Sequence, residues 1–199
     1  MPLVTQKAPD FTATAVLAND TIVEDFNLYK NLGKNGAVVF FYPLDFTFVC
    51  PSELLAFDHR YEQFKEKGIE VIAVSIDSQF SHLAWKRTPV SEGGIGPVKY
   101  PMVADLTKQI AKDFDVLLDG GVALRGSFLI DKDGTIRHAV VNDLPLGRNI
   151  DEMLRMVDTM LFVNEHGEVC PAGWQKGDEG MTATPDGVAK YLASNAEKL

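Results

Sequence analysis

The chain has 199 residues, 46% hydrophobic and 24% charged, and its 28 acidic and 19 basic side chains give a formal net charge of −9. This composition is ordinary for a globular protein, and the length fits one domain. We expect no nucleic-acid or membrane partner, because nucleic acids and anionic membranes are bound by clustered Lys and Arg. No run approaches the ~18 apolar residues of a membrane span, and the first residues do not resemble a signal peptide. These features predict a soluble, cytoplasmic protein.

The first half of the chain predicts a hairpin followed by a strand–helix–strand unit. Residues 11–26 are expected to form the small hairpin. Residues 36–42 form a continuous apolar run, which indicates a strand covered on both faces. An irregular connection leads to a helix over residues 51–68, with Pro at its start and Gly at its end. A second apolar run, residues 69–76, completes a βαβ unit with parallel strands.

The second half continues this alternation. It predicts helices over 81–88, 106–114, 150–167 and 186–195, and strands over 100–104, 125–130 and 135–141. Asp133-Gly134 is a strong hairpin signal between the last two strands. We therefore predict an α/β protein with a mixed central sheet flanked by helices, an N-terminal hairpin and a C-terminal extension. Residues 1–165 are assigned to the main domain and 166–199 to the extension.

The two cysteines, Cys50 and Cys170, are 120 positions apart. Two are too few for a disulfide framework, and they form no C-x-x-C pair. The four histidines have no familiar zinc-ligand spacing relative to them, so structural zinc is not expected. A redox or nucleophilic role remains open beside the alternative of two buried, inert thiols.

Cys50 is predicted at the N-cap of the helix that follows the first buried strand, with Pro51 as the first helical residue. Free amides and the helix dipole favour an anion there. A free thiol has a pKa of about 8.5, and a value of about 6 would make the thiolate the main species at neutral pH. The aromatic residues at 40–42, Phe46 and Phe48 are candidates for a dry pocket, although Phe40 and Phe41 are expected in the core.

The segment Pro43-x-x-x-Thr47-x-x-Cys50 is similar to the P-x-x-x-T-x-x-C active-site motif of the peroxiredoxins. Residues 41–53 resemble the typical two-cysteine branch of that family, which covers the peroxide-reducing component of the bacterial alkyl hydroperoxide reductases and the thioredoxin peroxidases. Residues 167–174 resemble the segment of that branch that carries its resolving cysteine. Residues 126–131 resemble the strand that follows the family's active-site arginine, here Arg125. The resemblance implies a thioredoxin-like fold and a thiol-dependent peroxidase.

The resemblance implies a role for each residue of the first motif. Cys50 would be the peroxidatic nucleophile, which attacks a hydroperoxide and becomes a sulfenic acid without metal, haem or another cofactor. Thr47 would hydrogen-bond the thiolate and the peroxide, and Pro43 would shield the site. A loop cap at Thr47 and a strand terminator at Pro43 are the structural alternatives.

Arg125 would lower the pKa of the thiol and stabilise charge on the leaving oxygen. Glu53 is expected to hold a hydrogen-bonded network with Arg125 or Arg148. The structural alternatives are an exposed ion pair for Arg125 and a plain first-turn acid for Glu53.

In the two-cysteine branch, Cys170 would be the resolving residue and would form a disulfide with Cys50 of the partner subunit. Thioredoxin or a dedicated flavoprotein reductase would then restore both thiols. The family resemblance further implies a homodimer and a ring of five dimers. A surface cysteine without function is the alternative for Cys170.

Two further observations concern regulation and rival functions. Residues 93–96 resemble a family element that accompanies overoxidation, but its usual Tyr-Phe companion is replaced by Tyr191-Leu192, so we expect intermediate sensitivity. A ring-form chaperone or peroxide-signalling scaffold remains the alternative function. A thioredoxin-type dithiol oxidoreductase is disfavoured, because Thr47 and Glu53 occupy the positions of its second cysteine. A selenium- or glutathione-type peroxidase is disfavoured by the pattern of Thr47 with Cys170.

Overall fold

A computed structural model describes residues 3–198, and its central feature is a seven-stranded mixed sheet in the order β2-β1-β5-β4-β3-β6-β7. The strands are β1 (Thr12–Val16), β2 (Ile22–Asn27), β3 (Gly36–Phe41), β4 (Ile69–Ser75), β5 (Met102–Ala104), β6 (Arg125–Asp131) and β7 (Ile136–Asn142). The mixed central sheet predicted from the sequence is confirmed.

The three central strands β3, β4 and β5 are parallel, and the outer pairs are antiparallel. The predicted N-terminal hairpin is the β1–β2 pair, and the Asp-Gly turn joins β6 to β7. Because β3 and β6 run in opposite directions, the carboxyl end of β3 lies beside the amino end of β6. Phe40 pairs with Ser127 in this register, so Arg125 lies near the residues that follow β3.

The helices are α1 (Cys50–His59), α2 (Tyr61–Glu66), α3 (Gln79–Arg87), α4 (Gln109–Asp113), α5 (Ile150–His166) and α6 (Pro185–Asn195). The single helix expected over residues 51–68 is wrong, because the chain breaks at Arg60, where φ is −104° and ψ is 2°. After α2, Gly68 adopts the left-handed backbone (φ 68°) and turns the chain into β4.

Strand β3 is buried on both faces, as its apolar run predicts. On one face the ring of Phe40 stacks on Phe57 of α1, with centroids 4.0 Å apart. On the other face Phe41 lies 5.1 Å from Phe114 and 5.9 Å from Phe128. Packing of β3 on α1 fixes where the connection between them enters and leaves the core.

The chain forms two compact units that divide between Ile150 and Asp151. The first holds the sheet and helices α1 to α4, and the second holds most of α5, Cys170 and α6. The domain boundary that the sequence predicts after residue 165 stays a prediction. Within residues 3–198, no helix has both the length and the apolar character needed to cross a membrane.

Candidate active site

Cys50 lies at the start of α1, after a loop of residues 43–49 that leaves β3. It is a free, fully buried thiol. Sequence placed Cys50 at the N-cap, but the N-cap is Val49, and Cys50 and Pro51 are the first two helical residues. The Cys50 sulfur therefore lies in the first turn of α1, where the helix dipole favours negative charge.

Arg125, the first residue of β6, brings a guanidinium to the Cys50 sulfur. Its Nη1 lies 3.3 Å from Sγ of Cys50 and 2.7 Å from Oε2 of Glu53, and its Nε donates to the carbonyl of Leu144 at 2.7 Å. Burial alone lowers the pKa of Arg125, but the interactions with Cys50 and Glu53 outweigh it and raise the pKa. The guanidinium is therefore charged and fixed beside the sulfur at any working pH.

Glu53, one turn along α1, joins two arginines. Its Oε1 accepts from the backbone N–H and Nε of Arg148 at 2.9 and 2.8 Å, and its Oε2 accepts from Nη2 of Arg148 at 2.8 Å and from Arg125. Burial raises the pKa of Glu53, but the bonds from Arg148 and the charges of both arginines lower it further than burial raises it. Two guanidiniums against one carboxylate leave a net positive charge next to Cys50.

Arg148 also ties this cluster to the sheet. Its Nη1 donates to the carbonyls of Phe41 and Gly126 and to Oγ of Ser127 at 2.7–3.0 Å. Its guanidinium carbon lies 5.3 Å from the centroid of the Phe40 ring. Both arginines that the sequence offers as partners of Glu53, Arg125 and Arg148, bind its carboxylate.

Thr47 and Pro43 lie in the 43–49 loop. The Thr47 hydroxyl is half-buried and donates to the carbonyl of Leu44 at 2.7 Å, and Pro43 is buried. This bond fits the loop-cap interpretation of Thr47 and leaves the oxygen lone pairs available as acceptors. The roles of both residues toward a peroxide stay predictions.

Asp45 anchors the 43–49 loop and was missed from the sequence. Its carboxylate accepts from the hydroxyls of Tyr42 and Ser81 at 2.8 and 2.7 Å and lies 2.9 Å from Nδ1 of His82. Its backbone N–H donates to Asp77 at 2.9 Å. The available signal was a charged residue inside an apolar, aromatic segment, because a buried carboxylate must be paired.

The aromatic residues near Cys50 divide into two groups. Phe40, Phe41 and Tyr42 are fully buried, in agreement with the core interpretation of Phe40 and Phe41. Phe46 is 52% exposed with a left-handed backbone (φ 54°), and Phe48 is 96% exposed. The prediction that Phe48 lines a dry pocket within this chain is therefore wrong.

Cys170 lies in the second unit and is a free, half-buried thiol. Its sulfur contacts the carbonyl of Thr159 at 3.9 Å. Burial and the charge of Glu168 raise its pKa, while Arg155 opposes them, and the pKa remains above the ordinary value.

A buried cysteine at a helix start, paired with an arginine that a carboxylate fixes, is the arrangement expected of a candidate thiol-based nucleophilic site. Residues 4–139 match the AhpC/TSA family, and residues 160–194 match the C-terminal domain of 1-Cys peroxiredoxin. The first match covers more than half of the chain. The chain therefore belongs to the AhpC/TSA family, and within it to the peroxiredoxins, which are thiol-dependent peroxidases.

Relatives of known name match this chain over nearly its full length. The chain is 65% identical to alkyl hydroperoxide reductase C of Helicobacter pylori, over 99% of this chain and 100% of that protein. It is 49% identical to peroxiredoxin-2 of Mus musculus, over 96% of this chain and 95% of that protein. The reduced 2-Cys peroxiredoxin of Plasmodium vivax superposes with a TM-score of 0.94 at 45% identity, covering 97% of this chain and 100% of that chain. The predicted thioredoxin-like fold and peroxidase class are confirmed.

Proposed function

We propose that Cys50 is the peroxidatic nucleophile and that Arg125 stabilises both its thiolate and the leaving oxygen. The observation that carries this assignment is the 3.3 Å contact between Nη1 of Arg125 and Sγ of Cys50. The thiolate attacks the terminal oxygen of a hydroperoxide, an S–O bond forms and the O–O bond breaks. The sulfur is oxidised to a sulfenic acid, and the leaving oxygen takes a proton to become water or an alcohol.

Glu53 and Arg148 are positioning residues in this proposal. The carboxylate of Glu53 fixes one nitrogen of Arg125 at 2.7 Å, and Arg148 fixes Glu53 through three bonds. Thr47 orients the peroxide through its hydroxyl, and Pro43 limits solvent access at the loop. A charge held in place before the reaction needs no reorganisation when the leaving oxygen becomes negative.

Cys170 of the partner subunit resolves the sulfenic acid. Its thiolate attacks the Cys50 sulfur, an S–S bond forms and the S–O bond breaks, and the departing hydroxide takes a proton to give water. Because the Cys50 side chain is fully buried, the first turn of α1 must unwind for this attack. The dithiol of thioredoxin or of a flavoprotein reductase then reduces the disulfide. No metal or cofactor enters the cycle.

We propose hydrogen peroxide and organic hydroperoxides as substrates, in the cytoplasm, with no nucleic-acid or membrane partner. The alkyl hydroperoxide reductase name of the Helicobacter pylori relative supports the organic class. The enzyme acts as a homodimer assembled into a ring of five dimers. The rings of Phe46, Phe48 and Phe80 are exposed and are available for contacts between subunits.

The test is a non-reducing gel of the reduced protein after one equivalent of hydrogen peroxide, beside Cys50→Ser and Cys170→Ser. We expect a band at twice the monomer mass in the wild type and in neither variant. A monomeric wild type in which mass spectrometry finds Cys50 still a thiol would overturn the assignment of Cys50. Oxidised Cys50 without the dimer band would overturn that of Cys170 alone.

A further inference from the structure

The 43–49 loop is fastened to α3 through the carboxylate of Asp45. Its Oδ1 accepts from the hydroxyl of Tyr42 at 2.8 Å. Its Oδ2 accepts from the hydroxyl of Ser81 at 2.7 Å and lies 2.9 Å from Nδ1 of His82. Burial, the largest influence, and the charge of Asp45 raise the pKa of Tyr42 well above its usual value, so this hydroxyl keeps its proton and donates. Both carboxylate oxygens are therefore occupied, and Ser81 and His82 connect one of them to α3.

This anchor is buried and has a second attachment. The side chains of Asp45 and His82 are 1% and 0% exposed. The backbone N–H of Asp45 donates to Oδ2 of Asp77 at 2.9 Å, and that oxygen also accepts from the hydroxyl of Ser75 in β4 at 2.8 Å. On its other side, Nε2 of His82 lies 3.3 Å from the carbonyl oxygen of Val103 in β5. Hydrogen bonds to a charged group are strong in a buried network, so Asp45 is a fixed point of the loop.

The backbone is strained directly after this fixed point. Phe46 has a φ of 54°, in the left-handed region that bulky side chains rarely adopt. Its ring packs against Trp85 of α3, with the centroids 5.7 Å apart. A strained residue persists only where its surroundings hold it in place. Opening of the loop would release the strain at Phe46, so the bonds of Asp45 oppose a movement that the backbone favours.

The proposed cycle needs this loop in two forms. In the closed form Cys50 is buried beside Arg125. Disulfide formation requires the first turn of α1 to unwind, and residues 46–49 must move with it because they lead directly into Cys50.

We propose that Asp45 is a positioning residue that restrains this opening: it stabilises the closed form, which reacts with peroxide, and slows the formation of the disulfide. The inference rests on the proposed cycle and adds no chemical step to it.

A bulky thiol reagent measures the opening directly. Because Cys50 is fully buried, a bulky maleimide reaches its sulfur only after the loop opens. The reagent is added in excess to the full-length reduced protein carrying Cys170→Ser, in which Cys50 is the remaining thiol. Two substitutions are compared in this parent protein. Asp45→Asn offers one acceptor oxygen in place of two, and Ser81→Ala removes one donor.

Lys86→Met is the matched control. Lys86 lies on the same helix α3, and its side chain is likewise 0% exposed. It pairs with Asp20 at 3.2 Å and donates to the carbonyl of Leu17 at 2.6 Å, both in the turn between β1 and β2. The substitution therefore removes a buried ion pair from α3 and leaves the bonds of Asp45 in place.

We expect Cys50 to be labelled about tenfold faster in Asp45→Asn and about threefold faster in Ser81→Ala, because each loses hydrogen bonding at a buried charged group. Lys86→Met should stay within about twofold of the parent protein. Should Asp45→Asn fail to fold, Ser81→Ala decides the same question.

A second measurement uses the same substitutions with both cysteines present. After one equivalent of hydrogen peroxide and acid quenching at successive times, disulfide formation should be faster by similar factors. Oxidation of Cys50 should not exceed the wild-type rate, because only the closed form places the sulfur beside Arg125. A merely structural defect would not accelerate one step of the cycle in this way.

The contrary results are distinct. Labelling of Asp45→Asn and Ser81→Ala at the parent rate would overturn the inference, and so would equal acceleration in Lys86→Met, because general destabilisation would then explain it. Faster labelling without faster disulfide formation would contradict the restraint on the disulfide step. A wild type that forms sulfenic Cys50 but no disulfide would contradict the role of Cys170, while the labelling rates would still decide the role of Asp45.

Discussion

At the scale of single residues, the contact between Arg125 and Cys50 gives the sharpest prediction. Replacing Arg125 by Met keeps most of the volume but removes the donor 3.3 Å from the sulfur and the charge that would stabilise the leaving oxygen. Loss of one such donor costs about 10²- to 10³-fold in rate. We expect a fall of that size in the second-order rate constant for Cys50 oxidation, measured by stopped-flow against hydrogen peroxide.

The control for this prediction is Arg137→Met, which removes an arginine from the neighbouring strand β7. It should leave the rate constant within about twofold of the wild type, because generic surface charge changes weakly affect a neutral substrate. A rate constant for Arg125→Met close to that of Arg137→Met would contradict the role given to Arg125.

Glu53 gives a prediction for stability and its pH dependence. In Glu53→Gln, two buried guanidiniums lose their shared carboxylate, and we expect a loss of about 3 kcal/mol in the free energy of unfolding. The pKa of Glu53 is lowered in the folded state. Its contribution is therefore complete above the unfolded carboxyl pKa of about 4.3 and is lost as the pH falls through the lower folded value.

The measurement for Glu53 is urea unfolding of the wild type and Glu53→Gln from pH 7 down to pH 2.5. The difference in free energy of unfolding should be constant above about pH 5 and shrink below about pH 4. A difference that stays constant down to pH 2.5, or that grows as the pH falls, would contradict the ion-pair assignment.

At the scale of elements, the turn that carries Gly93 and Gly94 is fixed by α3. Nε1 of Trp85 donates to the carbonyl of Gly93 at 2.9 Å, and a Cβ on Gly94 would lie 1.9 Å from the carbonyl oxygen of Thr88. The backbone carbonyl of Thr88 cannot move aside as the end of a flexible side chain can. We expect Gly94→Ala to cost about 2–3 kcal/mol and to lower the Tm by about 4–12 °C.

Gly93→Ala is the matched comparison for Gly94→Ala. Gly93 has a left-handed backbone (φ 84°), but a Cβ there would meet no atom within 4 Å. Its cost is the backbone strain of about 1–2 kcal/mol alone. Calorimetry should rank Gly94→Ala below Gly93→Ala in Tm, and the reverse order would show that the turn moves away from Thr88 at little cost.

The elements also show how far hydrophobic patterning can be trusted. The buried strands β3 and β4 and helix α5 follow directly from apolar runs and periodicity. The break between α1 and α2 does not, because apolar residues keep a helical spacing on both sides of Arg60. A helix can change direction while the same face stays buried, and the spacing of its apolar residues then does not change.

The candidate site was predictable to a similar degree. The two cysteine segments and Arg125 follow from family resemblance, and Glu53 from its place in the first turn of α1. Asp45 was not identified, because its partners Ser81 and His82 meet it only after α3 packs beside the loop. Local sequence reports which residues prefer burial, and pairing of buried polar groups depends on the packed structure.

At the scale of the whole molecule, the proposed cycle requires two chains, because the disulfide joins Cys50 to Cys170 of the partner subunit. This requirement can be tested without a structure of the assembly. Cys50→Ser and Cys170→Ser homodimers are each expected to be inactive with a recycling reductant. A mixed dimer would pair the intact Cys50 of one protomer with the partner's Cys170, so it would carry one complete site.

We therefore predict that equal amounts of the two variants regain disulfide after subunit exchange in mild denaturant and refolding. Random exchange puts unlike chains together in about half of the dimers, and one of the two sites in each is complete, so roughly a quarter of the wild-type disulfide should form per peroxide equivalent. A tag on one variant identifies the mixed dimer on a non-reducing gel. Mixed dimers that purify as such but form no disulfide would show that the two cysteines do not react between subunits.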